Sequence, residues 1–112
     1  MEIKVTQHEG YSTLAPAGDL DANSSLEMDS YIQESIDKGI YNIHVDCSGL
    51  QYISSAGLGV FISFMEELGA NGGKFVFSDM SENVYKVFQL LGLEALMTIV
   101  RTNEEARNAL IS

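Results

Sequence analysis

Two adjacent serines, Ser54 and Ser55, have the residue type and setting best suited to a chemical role in this chain. Ala56, Gly57 and Gly59 follow them, so little side chain covers the backbone around the two hydroxyls. The apolar periodicity of the next segment predicts a helix that begins here. The start of a helix has unpaired N–H groups and a positive dipole end, which favour a phosphate, either bound or covalently attached. The same residues also fit ordinary capping, with Ser54 as N-cap and Ser55 in the first turn, and both interpretations stay open.

Catalysis by a serine nucleophile requires a base, usually a histidine that a third group holds in place. The chain has two histidines, His8 and His44, and neither lies near the serines in the sequence. His44 falls in a predicted strand, on the face opposite Ile43 and Val45. The glycine-flanked serine motif of many hydrolases is absent. We therefore expect no enzymatic activity, and a small hydrolase that uses Ser55 is the least supported function.

Metal and cofactor binding is not indicated by the remaining residue types. One cysteine, Cys47, and two separated histidines offer no metal-ligand spacing. The glycine-containing segments lack the positions of a dinucleotide fingerprint or a P-loop. We expect no metal and no cofactor.

Length and charge restrict the classes of partner. With 112 residues, of which 46% are hydrophobic, residues 1–112 are expected to form one domain with its own core. Sixteen acidic residues against six basic ones give a net charge of −10, which disfavours nucleic acid and would steer a basic protein partner. The polar first residues do not resemble a signal peptide, and no apolar run approaches the ~20 residues of a membrane span. We expect a cytoplasmic protein with no membrane partner.

The elements that must position the serines follow the predicted order β-β-α-β-α-β-α-β-α. The first two strands form a hairpin, and a helix follows with Asp21 as N-cap and Ala22 as its first residue. Alternating strands and helices then imply parallel pairing. We expect an α/β fold with a mainly parallel central sheet, an N-terminal hairpin and about four helices. The later predicted elements are strands at 41–47, 74–78 and 95–100 and helices at 55–68, 81–91 and 102–111.

The helix predicted at 55–68 has more apolar residues than one buried face requires. The predicted core stripe consists of Val60, Phe61, Phe64 and Leu68, and the flank beside it consists of Leu58, Ile62 and Met65. Two interpretations of the flank stay open: it packs against a neighbouring helix, or it faces a partner.

Three segments resemble the anti-sigma factor antagonist family, which is built on the STAS domain. Its most specific part is the pattern D-x-S-G-L-x-Y-I-x-S-x-G-L at 46–58, and the resemblance in element order covers nearly the whole chain. The segments are GDLD at 18–21, VDCSGLQYISSAGLGV at 45–60 and VFQLLGLEALMTIVRTNEEARNAL at 87–110.

The resemblance implies a bacterial switch protein that binds an anti-sigma factor and thereby frees a sigma factor. In the family, the anti-sigma factor is also a serine kinase that uses ATP; it phosphorylates one serine at the start of the second helix and ends the complex. A PP2C-type phosphatase reverses the modification. On this sequence the phosphorylated serine falls on Ser55, with Ser54 as the reserve, and Ser48 is expected to be structural. Many relatives read Asp-Ser-Ser-Gly where this chain reads Ser-Ser-Ala-Gly at 54–57.

The expected partner-binding surface consists of Asp21, Ser54, Leu58 and Ile62. The alternative function is a structural STAS subunit of a larger signalling or transport assembly, which would need a permanent partner and no phosphorylation cycle. Phosphate incorporation at Ser55 distinguishes the two functions.

Overall fold

The structure is a computed structural model that describes residues 1–111. In that range the expected α/β fold is confirmed, with four α-helices, an N-terminal hairpin and a sheet whose other strands pair in parallel. The elements are β1 (Glu2–Gln7), β2 (Ser12–Leu20), α1 (Ser24–Asp37), β3 (Asn42–Asp46), β4 (Leu50–Ile53), α2 (Ser55–Ala70), β5 (Lys74–Ser78), α3 (Glu82–Leu90), a short 3-10 helix (Leu93–Ala95), β6 (Thr98–Ile99) and α4 (Asn103–Ile111).

The strands follow the spatial order β1-β2-β3-β5-β6. The antiparallel hairpin of β1 and β2 forms one edge, and the crossover helices connect the parallel strands after it. Helices α1, α2 and α3 share the larger hydrophobic core with one face of the sheet, and α4 covers part of the other face through a smaller cluster. Parallel strands are buried on both faces, and the run Phe75–Phe77 of β5 is accordingly buried throughout.

The start of α1 differs from the sequence prediction. The helix begins at Ser24, whereas Ala22 was predicted as its first residue. Asp21 still receives backbone N–H groups at this end, but it does so in a turn that precedes the helix. The carboxylate therefore stabilises the approach to α1 rather than occupying its N-cap.

Strand β4 was not predicted. It pairs in parallel with the end of β2, where Gly18 faces Leu50 and Leu20 faces Ile53. Its buried residues, Leu50 and Ile53, are three positions apart, a spacing that does not indicate a strand. The strand therefore forms through its backbone pairing with β2, and the hydrophobic pattern of residues 50–53 does not predict it.

Helix lengths are those of a small domain. The longest of the helices described, α2, has 16 residues. In residues 1–111, no helix combines the length and the apolar composition needed to cross a membrane.

Candidate functional site

The start of α2 is attached directly to the end of β2. The backbone N–H of Ser54 donates to the carbonyl of Leu20 at 2.9 Å, which extends the pairing of β2 with β4 by one residue. Asp21 is the next residue after Leu20, so this bond brings the Asp21 turn to the same end of the sheet as the two serines. The predicted site residues Asp21, Ser54 and Ser55 are thereby close in space.

The two serine hydroxyls have different environments. Ser54 has an extended backbone, and its Oγ accepts a hydrogen bond from the N–H of Gly57 at 3.2 Å, which confirms Ser54 as the N-cap. Ser55 is the first residue of α2 and is exposed, and its hydroxyl has no hydrogen-bond partner within residues 1–111. A reagent or a second protein can therefore reach the Ser55 hydroxyl without breaking a bond in the fold.

Gly57 lets the start of α2 lie close to the sheet. A Cβ at this position would lie 2.9 Å from Cγ of Leu20 and 3.1 Å from Cγ1 of Ile53. Leu20 and Ile53 are both buried side chains of the core. The glycine that appears in the sequence motif is thus needed for close packing. At Gly59, by contrast, an added Cβ would meet nothing within 4 Å.

Asp21 holds its turn through its carboxylate. Oδ1 accepts the N–H groups of Asn23 and Ser24, each at 3.0 Å, and the hydroxyl of Ser24 also lies 3.0 Å away. The backbone hydrogen bond from Ser24 is the largest cause of a lowered pKa for Asp21, so the exposed side chain carries its negative charge at neutral pH. The site therefore has a fixed anion next to the serine pair.

The apolar flank of α2 is divided between core and surface. Leu58 is 2% exposed and belongs to the core, so its predicted place on the partner-binding surface is wrong. Ile62 is 48% exposed. Val60, predicted as core, is only partly buried. Leu58 belongs to the same core cluster as residues of α1 and the sheet, and Ile62 does not.

Tyr52 is a surface residue of this region that the sequence analysis did not identify. It is 53% exposed on β4, paired with Asp19 and two residues before Ser54. Strand alternation would not have identified it, because Tyr52 shares a side of β4 with buried Leu50.

The histidines are engaged elsewhere. The two ring nitrogens of His44 lie 3.1 Å from Thr13 Oγ1 and 2.6 Å from Ser78 Oγ, and Nε2 of His8 lies 3.0 Å from the same Thr13 oxygen. None of these nitrogens is bonded to Ser55. In the range 1–111, no group of three or more His, Cys, Asp or Glu side chains is placed to hold a metal ion.

The family profile and the similar characterised sequences that follow point to the same protein family. The STAS domain profile matches residues 2–106. An anti-sigma-B factor antagonist of Staphylococcus epidermidis is 24% identical over 99 residues, which cover 88% of this chain and 92% of the relative. The anti-sigma-B factor antagonist of Staphylococcus aureus is 23% identical over the same shares of both chains.

Solved structures share the fold. An anti-sigma factor antagonist from Mycobacterium paratuberculosis superposes with a TM-score of 0.89 at 21% identity, over 99% of this chain and 94% of that one. The Bacillus cell fate determinant SpoIIAA in its phosphorylated form superposes with a TM-score of 0.75 at 25% identity, over 96% of this chain and 98% of that one.

Proposed function

The chain belongs to the STAS domain family, and we propose that it is a phosphorylation-switched binding module that antagonises an anti-sigma factor. It binds an anti-sigma factor that is also an ATP-using serine kinase, and this binding releases a sigma factor. Phosphorylation of Ser55 ends the complex, and a PP2C-type phosphatase restores it. The names of the staphylococcal relatives support this role, since the matched region spans most of both chains.

The observation that carries the proposal is the free hydroxyl of Ser55. The neighbouring hydroxyl of Ser54 already accepts the N–H of Gly57, whereas Ser55 is exposed and unbonded in the described part of the chain. A kinase needs an accessible hydroxyl oxygen, and Ser55 offers one at no cost to the fold. Ser54 remains the reserve acceptor.

A phosphate on Ser55 would act on the partner more than on the fold. A phosphoserine carries about −1.5 to −2 charges at pH 7. The first turn of α2 supplies N–H groups and a positive dipole end, which tolerate that charge. A partner surface that faces Ser55 would instead bury a new anion beside the fixed anion of Asp21, a costly arrangement.

The partner-binding surface that we propose consists of Asp21, Ser54, Ser55 and Ile62, and we call it the switch surface. Leu58 supports it from the core instead of touching the partner. No catalytic role is proposed for any of these residues.

Mass spectrometry after incubation with the anti-sigma kinase of the same organism and ATP tests the proposal. The wild-type chain should gain one phosphate, and Ser55→Ala should gain none. Ser54→Asp is the matched control, because aspartate caps a helix as well as serine does but has no hydroxyl; this variant should still gain the phosphate.

Phosphate located on Ser54 or Ser48 would contradict the assignment of Ser55. A chain that gains no phosphate and elutes only within a larger assembly would support the alternative function, a structural STAS subunit.

A further inference from the structure

The last two strands of the sheet are followed by helices on opposite faces. β5 leads into α3, whose Phe88 belongs to the larger core, and β6 leads into α4, whose Leu110 belongs to the smaller cluster on the other face. The two strands are parallel neighbours in the sheet. Where the connections after neighbouring parallel strands diverge in this way, a crevice opens at the carboxyl ends of the strands, and ligands of open α/β sheets bind in such crevices.

A cleft of about 690 Å³ lies at this point of the fold. We call it the β5–β6 cleft, and its lining residues are Met80, Glu82, Tyr85, Ile99, Val100 and Arg101. Its volume is that of a small-molecule site, for which the range is roughly 300–1,000 Å³. Met80 and Ile99 pack against the larger core and Val100 packs against the smaller cluster, so the cleft lies between the two faces of the sheet.

Hydrogen bonds hold the backbone on both sides of the β5–β6 cleft. The side-chain amide of Asn103, in the first turn of α4, donates to the carboxylate of Asp79, which follows β5. The carboxylate of Glu105 accepts the backbone N–H of Arg101 at 3.0 Å. The connection after β5 and the connection after β6 are thereby fixed relative to each other.

Two opposite charges line the cleft and are not paired with each other. Glu82 and Arg101 are exposed, and neither forms an ion pair in residues 1–111. The planar guanidinium of Arg101 suits a carboxylate, and the carboxylate of Glu82 suits an ammonium group. The partly buried side chains of Met80, Ile99 and Val100 provide an apolar wall in the same cleft.

A zwitterion with an apolar group matches this set of side chains. An anion alone would be repelled by the net charge of −10 and by Glu82 in the cleft. A cation alone would leave the guanidinium of Arg101 without a partner. We propose that the β5–β6 cleft binds a small apolar α-amino acid, whose carboxylate pairs with Arg101, whose ammonium pairs with Glu82 and whose side chain lies on the apolar wall.

The β5–β6 cleft shares no residue with the switch surface. The amino-acid site therefore does not depend on phosphorylation of Ser55, and a failure of either proposal leaves the other intact.

Titration of the nitrogen-15-labelled full chain with L-leucine, followed through its amide NMR shifts, tests the site. The amides of Ile99 and Arg101 should shift and saturate, and that of Ser55 should not. Isoamylamine lacks the carboxylate of leucine, and isocaproate lacks its ammonium. Each should bind at least about tenfold more weakly than leucine, as expected for the loss of a hydrogen-bonded charge.

Two substitutions assign the two charges of the ligand. Arg101→Gln should bind leucine and isoamylamine equally, because the carboxylate has lost its partner, and Glu82→Gln should bind leucine and isocaproate equally. Arg107→Gln is the matched control, since Arg107 is the other arginine of the chain and does not line the cleft. This control should bind leucine as the wild type does.

Amide shifts that stay proportional to the leucine concentration, or that are unchanged in Arg101→Gln, would overturn the amino-acid site. Equal binding of leucine and isocaproate by the wild type would also overturn it, since the ammonium would then have no partner in the cleft.

Discussion

At the scale of single residues, the two serine hydroxyls differ in hydrogen bonding because Ser54 is the N-cap of α2 and Ser55 is its first helical residue. The N-cap residue is outside the helix and turns its side chain back onto the first turn, as Ser54 does toward Gly57. The first helical residue directs its side chain away, and Ser55 is exposed. One position thus serves the fold and the next is available for modification.

Alanine substitutions should separate these roles in urea unfolding. Ser54→Ala should lower the free energy of unfolding by about 1 kcal/mol, because the N–H of Gly57 loses its acceptor. Ser55→Ala should change it by less than ~0.5 kcal/mol, as is usual for an exposed side chain. Equal losses in the two variants would mean that Ser55 also stabilises the fold.

Cys47 should be chemically inert in the folded protein. It is 1% exposed, and burial raises the pKa of its thiol, so almost no thiolate forms at neutral pH. A thiol reagent at about pH 8 should label native protein slowly and label urea-unfolded protein at once. Rapid labelling of native protein would show that the end of β3 opens frequently.

At the scale of elements, α2 has one face in the core and a second face at the surface. Phe61 contacts Phe75 and Phe77 edge-on, at centroid distances of 5.4 and 5.0 Å, and is 1% exposed. Ile62 is the next residue and is about half exposed. Neighbouring residues of a helix point about 100° apart, so adjacent positions can belong to different surfaces.

Lysine substitutions at these two adjacent positions should have opposite effects. Ile62→Lys should weaken anti-sigma factor binding by more than ~1 kcal/mol in titration calorimetry. It should leave the melting temperature nearly unchanged, because the side chain already contacts water. Phe61→Lys should unfold the domain, since it places a charge in the core. Intact affinity in Ile62→Lys would exclude Ile62 from the switch surface.

The glycines of α2 also form a matched pair. Gly57→Ala should destabilise the protein by about 1–3 kcal/mol, because its Cβ would overlap buried Leu20 and Ile53. Gly59→Ala should stabilise it by about 0.5–1 kcal/mol, since alanine is the better helix former and the space is open. Thermal unfolding of both variants measures the difference; a neutral Gly57→Ala would show that α2 can shift away from the sheet.

At the scale of the whole molecule, negative charge is largely uncompensated. The net charge is −10, and the ion pair between Lys38 and Glu34, at 3.5 Å, is the one found in residues 1–111. Self-repulsion of this kind destabilises a compact state, whereas it keeps the protein soluble and attracts basic partners.

Sodium chloride should therefore raise the melting temperature. Screening lengths fall from roughly 10 Å at 0.1 M to 3 Å at 1 M, so the rise should level off within this range. A melting temperature that keeps rising in proportion to the sodium chloride concentration would indicate exclusion of ions from the protein surface, and not screening of the repulsion between its negative charges. Lysine substitution of exposed Glu27, which lies outside the switch surface, should reduce the salt effect.

Local patterns in the sequence were sufficient for much of this protein. They predicted Ser54 as the cap of α2 and the strand at 74–78. The motif at 46–58 also indicated the family. These features depend on residues a few positions apart, and their physical causes, capping and periodic burial, act within one element.

Only the tertiary structure decided which apolar and polar groups are covered. β4 forms because its backbone pairs with β2, about 30 residues away, and Leu58 is buried because other elements close over one flank of α2. The buried His44 is satisfied by residues 31 and 34 positions distant. The periodicity of an element shows that a side could be buried, but burial itself depends on neighbours that are distant in the sequence and brought close only by the fold.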